Sequence, residues 1–196
     1  MNNNDYLLPG IAALILALLF PSYWIIEAVI VEFDFASLQV KHSTGVMRLV
    51  FALTGALAIA VYMGLKQQLI DHHNYRGVDI VLALIIGVCV VFYGGVLVVE
   101  MLSPMLGEVN GELILSIIWI GGIMTFGVLD IVLGALLLKE RRELPGLLRG
   151  FAIVNLIMGV FEVTLIFAFL TILIYPIALI LLALNFLRQP EAIEIV

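Results

Sequence analysis

Long apolar stretches separated by short polar segments run through the whole chain. They fall near 7–30, 44–65, 77–101, 113–138 and 148–187. A helix crosses the hydrocarbon core of a bilayer with roughly 20 apolar residues, at a rise of about 1.5 Å per residue. The first four stretches therefore each predict one transmembrane helix, and the polar segments between them predict short loops.

The last apolar stretch is too long for a single crossing. A helix over 148–187 would reach roughly 60 Å, about twice the thickness of the core. We expect the chain to turn back between Phe169 and Pro176, because Pro176 has no backbone N–H and suits the first turn of a new helix. Divided there, the stretch gives spans at 148–169 and 172–187. The sequence thus predicts an all-α, polytopic transmembrane helical bundle of six spans that forms one domain over 1–196.

Basic residues are concentrated on one side of this topology. Cytoplasmic loops carry an excess of Lys and Arg. If the N-terminus is cytoplasmic, only Lys41 and Arg48 fall on the outer side. The other seven of the nine basic residues fall in inner segments: Lys66, Arg76, Lys139, Arg141, Arg142, Arg149 and Arg188. We therefore expect both the N-terminus and the C-terminus in the cytoplasm.

Composition excludes several classes of protein. The chain is 64% hydrophobic and 12% charged, whereas soluble domains carry roughly a quarter charged residues. Its net charge of −6 does not provide the basic face that nucleic-acid binding requires. We expect a multi-pass protein whose first partner is the lipid bilayer and which binds no nucleic acid. Its small size, short loops and charge bias indicate the cytoplasmic (inner) membrane of a bacterial cell.

The residues that catalysis or a cofactor would require do not fall together. The histidines, His42, His72 and His73, all lie in predicted loops. No serine at membrane depth therefore gains a histidine base, and no haem gains an axial ligand there. The single cysteine, Cys89, forms neither a disulfide within the chain nor a cysteine metal site. We expect a protein that is not an enzyme and that holds no metal or cofactor.

Two carboxylates fall deep within predicted spans. Asp130 lies about 12 Å from the inner end of the fourth span, and Glu162 lies about 18 Å into the fifth. A charged side chain at the bilayer centre costs about 2.5–3.5 kcal/mol on insertion scales, and a carboxyl group avoids that cost by keeping its proton. A short loop joins the two spans, so they should be antiparallel neighbours. Asp130 and Glu162 would then be able to face each other and share a proton.

The surroundings of these carboxylates are similar in sequence. The segment Gly127-Val-Leu-Asp-Ile-Val-Leu133 resembles Gly159-Val-Phe-Glu-Val-Thr-Leu165, and each places a carboxylate three residues after a glycine. Inverted repeats of this kind occur in transporters. Apolar helices also share composition, so both origins of the similarity stay open.

Three charged residues fall at the outer ends of spans. Glu27 lies near the end of the first span, Arg48 near the start of the second and Glu100 near the end of the third. Arg48 is therefore placed to pair with either carboxylate. We expect an interfacial ion pair that fixes the order of the helices; the alternative is the vestibule of a substrate path.

Small residues recur every four positions in the second and third spans. Such residues let helix backbones approach closely in lipid. They are Ala52, Ala56, Ala60 and Gly64 in the second span, and Ala83, Gly87 and Gly95 in the third. We expect these faces to pack between neighbouring spans or against a second copy or a partner membrane subunit.

Two functions fit these patterns. The first, which the sequence favours, is a non-catalytic structural or accessory component that packs with itself or with a larger membrane complex. Its protonated carboxyls would hydrogen bond to Thr125, Asn155 or Thr164 on adjacent helices. The second is a small proton- or cation-coupled transporter or channel that uses Asp130 and Glu162, because such carboxylates couple ion binding to movement. A cavity at these residues would favour transport, and dry packing would favour structure.

Overall fold

Six α-helices make up almost all of the described chain. The computed structural model describes residues 6–30, 45–73, 75–139 and 144–188. The helices are α1 Leu7–Ile30, α2 Gly45–His73, α3 Asp79–Leu106, α4 Glu108–Lys139, α5 Gly146–Thr164 and α6 Thr171–Leu187. Within these ranges all six are long and apolar enough to cross a membrane. The prediction of an all-α fold with six such helices is confirmed, and it indicates a multi-pass membrane protein.

The six helices close into a ring. Each helix packs against the next one in the chain, and α6 packs against α1. Neighbouring helices run in opposite directions. Tyr6 and Phe186 stack with ring centroids 6.4 Å apart, so both ends of the described chain lie on one side of the ring. We call this side the termini end, and we call the side where α1 ends and α2 begins the distal end.

The inside of the ring changes in character along its axis. Toward the termini end it is filled with aliphatic side chains such as Leu65, Ile85 and Leu133, which are completely buried. Toward the distal end it is aromatic, with Phe51 and Phe92 at the centre of a second cluster. The ring of helices is therefore densely packed with aliphatic groups at the termini end and lined with aromatic side chains at the distal end.

The outer surface of the ring is strongly apolar. Large hydrophobic side chains are exposed on every helix, and Leu18, Val91 and Met105 reach 74%, 73% and 87% exposure. Single exposed apolar residues are common in soluble proteins, but apolar surface of this extent is not stable in water. The exterior suits contact with lipid acyl chains.

The link between the third and fourth helices is shorter than expected. The segment 102–112, predicted as a loop, is helical except at Gly107. Gly107 has a φ of 78°, which a glycine adopts without a steric penalty. This one residue is sufficient to reverse the chain, so both helices extend further toward the distal end than their apolar stretches indicated.

The turn between the last two helices comes earlier than expected. The span predicted over 148–169 ends as a helix at Thr164, a 3-10 turn over Ala168–Leu170 follows, and α6 begins at Thr171. Pro176 lies inside α6 and not in its first turn. Leu165 ends α5 with a φ of 55°, which is rare for a residue with a side chain. No glycine or proline marks this turn, so the pattern could not locate it.

Because of the early turn, the wall of the ring formed by α5 and α6 is low, which means that it ends short of the distal ends of the other helices. Beyond Gly159, α5 continues only to Thr164, about 8 Å at about 1.5 Å per residue. Beyond Gly127, α4 continues back to Glu108, about 28 Å by the same rise. The hairpin of α5 and α6 therefore stops well below the distal ends of its neighbours.

A backbone-to-backbone contact joins α4 and α5. A Cβ atom built at Gly159 would lie 2.5 Å from the carbonyl oxygen of Gly127, and one built at Gly127 would lie 2.9 Å from the carbonyl oxygen of Gly159. The contact is reciprocal, as in two antiparallel helices related by a local two-fold axis. Gly134 extends it, since a Cβ atom there would lie 2.7 Å from the carbonyl oxygen of Ala152. The two similar sequence segments thus meet each other at their glycines.

The small residues of α2 do not share one environment. Gly64 packs against Pro9 of α1 and is buried, Ala52 and Ala60 are half-buried, and Ala56 is exposed. Helical spacing places these residues on one face, but that face only partly meets a neighbour.

The small residues of α3 lie mainly on the outside. Ala83 and Gly87 are exposed, and a Cβ atom at Gly87 would have nothing within 4 Å among the described residues. Gly95 is half-buried, and its Cβ position lies 3.7 Å from Ile118. This face therefore contributes little to packing within the ring.

Replacement of Gly127 by alanine should destabilise the fold. The new methyl group would meet the backbone of α5, which has no room to move, and overpacking of this kind costs about 1–3 kcal/mol. Gly121→Ala is the matched control on the same helix, because nothing lies within 4 Å of its Cβ position. The measurement is the free energy of unfolding in mixed detergent micelles. Equal stabilities of the two variants would contradict the contact.

Candidate functional site

Asp130 and Glu162 lie on opposite sides of the glycine contact. Each comes three residues after its glycine, and because the helices are antiparallel, Asp130 lies toward the termini end and Glu162 toward the distal end. By helical rise their levels differ by about 9 Å. Both are buried, with 2% and 8% exposure, and they are close enough to interact electrostatically.

The shared proton expected from the sequence does not match this geometry. Among the hydrogen bonds of the described residues, none joins Asp130 to Glu162. Glu162 also lies in the last turn of α5, about 24 Å along the helix from Gly146 by the usual rise, and not in the middle of a longer span. The two carboxyls therefore occupy separate sites.

Asp130 is held by an amide from the neighbouring helix. The Nδ2 atom of Asn155 donates to Oδ1 of Asp130 and to its backbone oxygen, both at 3.1 Å. Asn155 is completely buried, and its Oδ1 atom has no hydrogen-bond partner among the described residues. A protonated Asp130 has an O–H that can donate, whereas the charged form has none. This pair is the polar helix contact that the sequence predicted for Asn155.

Glu162 has no equivalent partner. Its Oε2 atom is buried without a hydrogen bond in the described structure. Thr171, at the start of α6, faces the carboxyl group, but its Oγ1 atom also makes no hydrogen bond of good geometry. Within the described ranges no Lys, Arg or His pairs with this carboxyl.

The local two-fold relation explains the difference between the two carboxyls. Asn155 comes four residues before Gly159, and the equivalent position four residues before Gly127 is Ile123. Ile123 lines the same cavity as Glu162. Glu162 therefore meets an aliphatic side chain at the position where the symmetry-related Asp130 meets an amide.

The two threonines proposed as partners do not reach the carboxyls. Thr125 is exposed and donates to the Gly121 carbonyl at 2.6 Å, and Thr164 is exposed and donates to the Phe161 carbonyl at 2.9 Å. Successive residues turn by about 100° around a helix. Thr125 therefore lies on a different face of α4 from Asp130, and Thr164 lies almost opposite Glu162 on α5.

A cavity of about 270 Å³ lies inside the distal half of the ring and is partly open. Glu162, Thr54 and Thr171 are its polar lining residues apart from the tyrosine hydroxyls and the tryptophan indole N–H groups. Nine aromatic rings form most of the wall, and every helix or its adjoining turn contributes to the lining. They are Phe20, Tyr23, Trp24, Phe51, Phe92, Tyr93, Trp119, Phe126 and Phe169.

The ionisable groups around the carboxyls come from several helices. Asp130 from α4, Tyr62 from α2 and Tyr93 from α3 are close enough to interact with Glu162. Tyr175 from α6 is close enough to interact with Asp130 and with Tyr62. These tyrosines are a part of the site that the sequence analysis missed. The signal in the sequence that could have identified them was a tyrosine hydroxyl group within an otherwise apolar span.

The termini end of the ring is closed by a second polar contact that the sequence analysis missed. The Nδ2 atom of Asn185 donates to Oε1 of Gln68 at 2.6 Å, and Nε2 of Gln68 donates to the backbone oxygen of Asn185 at 3.4 Å. Both residues are buried. Because α2 and α6 are not neighbours in the ring, this contact crosses its interior.

Arg48 pairs with Glu100 at the distal end. The distance from Nε of Arg48 to Oε2 of Glu100 is 3.1 Å, and the side chains are 33% and 17% exposed. A partly exposed pair of this kind stabilises by about 0–1 kcal/mol. It links α2 to α3, whereas the side chain of Glu27, the other proposed partner, lies outside the described residues.

Comparisons with known proteins give no assignment. Neither a family model, nor a curated protein, nor a solved structure matches the chain. Within the described ranges no group of three or more His, Cys, Asp or Glu residues is placed to hold a metal ion.

Loss of the Asn155 amide should destabilise the protein more than loss of the Asp130 carboxyl group. Asn155→Leu leaves a buried carboxyl without its donors, which costs about 1–3 kcal/mol. Asp130→Asn keeps an acceptor for Nδ2 and should cost less than about 1 kcal/mol. The measurement is unfolding in detergent micelles, with both variants compared against the wild type. If Asn155→Leu is as stable as the wild type, the pair does not hold α4 to α5.

Proposed function

We propose that the protein is a proton-coupled cation transporter of a bacterial cytoplasmic membrane, with its solute bound in the distal cavity. The observation that carries this proposal is the carboxyl group of Glu162, which is buried, has an oxygen without a hydrogen bond, and lines a cavity of about 270 Å³. A purely structural carboxyl would be packed against a donor, as Asp130 is packed against Asn155.

Competition between a proton and the cation for the carboxyl group of Glu162 couples the movement of one to that of the other. An unpaired charge among apolar and aromatic side chains is costly, so Glu162 is stable either with a proton or with a bound cation. When a monovalent cation binds, the O–H bond of the protonated carboxyl breaks and one proton leaves. When the cation departs, a proton returns. A gradient of one ion can then drive movement of the other.

The two ends of the ring support an alternating path. The distal cavity is partly open, whereas the contact between Gln68 and Asn185 and the aliphatic core close the termini end. Release on that side requires this contact to separate. Asp130 lies between Glu162 and the termini end and would relay protons along that part of the path.

Charge distribution supports a cytoplasmic termini end. Five of the six described Lys and Arg residues lie toward it, and only Arg48 lies at the distal end. The five are Lys66, Arg76, Lys139, Arg149 and Arg188. By the excess of basic residues in cytoplasmic loops, the cavity would face the outside of the cell.

Transport should depend on Glu162 in reconstituted liposomes. A gradient of a monovalent cation, potassium or tetraethylammonium in turn, is imposed on wild-type proteoliposomes at constant ionic strength. At least one of the two should move protons the opposite way, as reported by a pH-sensitive dye inside. Glu162→Gln should reduce this movement to the level of empty liposomes. Glu112→Gln is the matched control, because Glu112 is a half-buried carboxylate of α4 that does not line the cavity.

Two further variants make the flux result specific. Ile123→Asn should supply Glu162 with the amide that Asp130 already has, and so reduce proton movement while the fold is kept. Asp130→Asn should reduce proton movement while the protein still assembles in the membrane. Flux in Glu162→Gln equal to that of the wild type would exclude the proposed mechanism.

A role in membrane assembly is the second candidate function. It is favoured by the outward position of Ala56, Ala83 and Gly87, because small exposed residues allow another helix to approach closely in lipid. A second copy of the chain or a partner subunit would pack on this side of α2 and α3.

Cysteine cross-linking in the membrane should detect such a contact. In a Cys89→Ser background, Ala83→Cys should form a covalent dimer on oxidation, because copies that meet at α3 bring the thiols together. Leu18→Cys is the control, since Leu18 is exposed on α1. Absence of dimer at position 83, or equal amounts at both positions, would argue against self-assembly through α3.

A further inference from the structure

The chemistry of the cavity wall restricts what it can hold. An anion would be repelled by Glu162 whenever that carboxyl is charged. A neutral apolar molecule would leave Oε2 of Glu162 without a partner. Calcium and magnesium ions take about six or more oxygen ligands, and the described wall offers one carboxyl group with a few hydroxyl groups. A monovalent cation with apolar substituents satisfies both the carboxyl and the wall.

The aromatic rings provide the second half of such a site. The face of an aromatic ring attracts a cation that lies within about 6 Å of its centroid, and recognition of quaternary ammonium groups uses several such faces together. Trp119 makes edge-to-face contacts with Trp24, at a centroid distance of 5.4 Å, and with Phe92, at 4.9 Å. In an edge-to-face pair the edge of one ring contacts a face of the other, so the ring that presents its edge keeps both of its faces clear of that partner.

The volume of the cavity limits the size of the ligand. Small-molecule sites have volumes of about 300–1,000 Å³, and this cavity, at about 270 Å³, lies just below that range. It exceeds by several times the roughly 30 Å³ that one water molecule occupies. The site therefore suits a compact molecule of a few carbon groups.

We propose that the distal cavity is a binding site for a small organic cation of the alkylammonium type, held by the carboxylate of Glu162 and by the faces of the surrounding aromatic rings. This inference rests on the proposed transport function and names its substrate class. The carboxylate supplies charge and the rings supply contact with the apolar substituents, so the two parts of the site act on different parts of one ligand.

The two tryptophans of the chain make the site directly observable. The sequence contains only Trp24 and Trp119, and both line the cavity. Titration of the purified protein with tetraethylammonium chloride should therefore give a saturable change in tryptophan fluorescence. Equal concentrations of potassium chloride, or of the neutral alcohol 3-ethyl-3-pentanol, should give none.

Two variants separate charge from aromatic contact. Glu162→Gln should weaken tetraethylammonium binding roughly tenfold or more, because a charge pair in a partly buried site is lost. Phe51→Leu keeps both tryptophans and should weaken it by about 2- to 10-fold through loss of one ring face. Glu112→Gln should bind as the wild type does, and helical circular dichroism verifies that each variant is folded.

The outcomes distinguish this inference from the transport proposal. An equal response to potassium chloride would overturn the organic-cation assignment and leave coupled transport standing. An equal response to the neutral alcohol would show an apolar site and overturn it too. Saturable tetraethylammonium binding that requires Glu162, without proton movement in liposomes, would support the ligand class and reject transport.

Discussion

The reciprocal contact between Gly127 and Gly159 determines where both buried carboxyl groups lie. In lipid, helices gain little hydrophobic energy from pairing, so close van der Waals contact and interhelical hydrogen bonds must hold them. The absence of a Cβ atom on either side allows the two backbones to touch. Asp130 and Glu162 follow their glycines by the same number of residues, and the antiparallel arrangement places them on opposite sides of the contact.

From this symmetric framework the chain builds two different environments. Asn155 satisfies Asp130 on one side of the contact, and Ile123 occupies the corresponding position on the other side, where Glu162 lines the cavity. A single difference between an amide and an aliphatic side chain thus accounts for one carboxyl that joins two helices and one that lines a cavity. A cavity at the carboxyls would favour transport, and dry packing would favour a structural role. Glu162 lines a cavity, whereas Asp130 is packed against Asn155, so the two carboxyl groups give different results.

The sequence was sufficient for features that depend on composition and local spacing. The apolar stretches located six helices, and Asp130, Asn155 and the Arg48–Glu100 pair followed from depth along those helices. The positions of Thr125 and Thr164 were also accessible, since counting about 100° per residue places them away from the carboxyls.

Other features depend on tertiary structure and left no local signal. The turn at Leu165 has neither glycine nor proline, and Pro176, which usually favours a helix start, lies within α6. The spacing of Ala83 and Gly87 shows that they share a face but not whether a helix covers it. The cavity and the Gln68–Asn185 contact exist only because α6 closes the ring against α1.

The low wall formed by α5 and α6 also affects how a membrane voltage would act on the protein. Moving one elementary charge across a full membrane potential of 100 mV changes its energy by about 2.3 kcal/mol. That potential falls mainly across regions that water does not enter. The cavity that Glu162 lines is partly open, whereas the aliphatic core separates this carboxyl from the termini end. If water enters the cavity from the distal side, most of the potential falls across that core. The proposed cation would then reach Glu162 almost without crossing the electric field, and nearly all the electrical work would accompany its passage beyond Glu162.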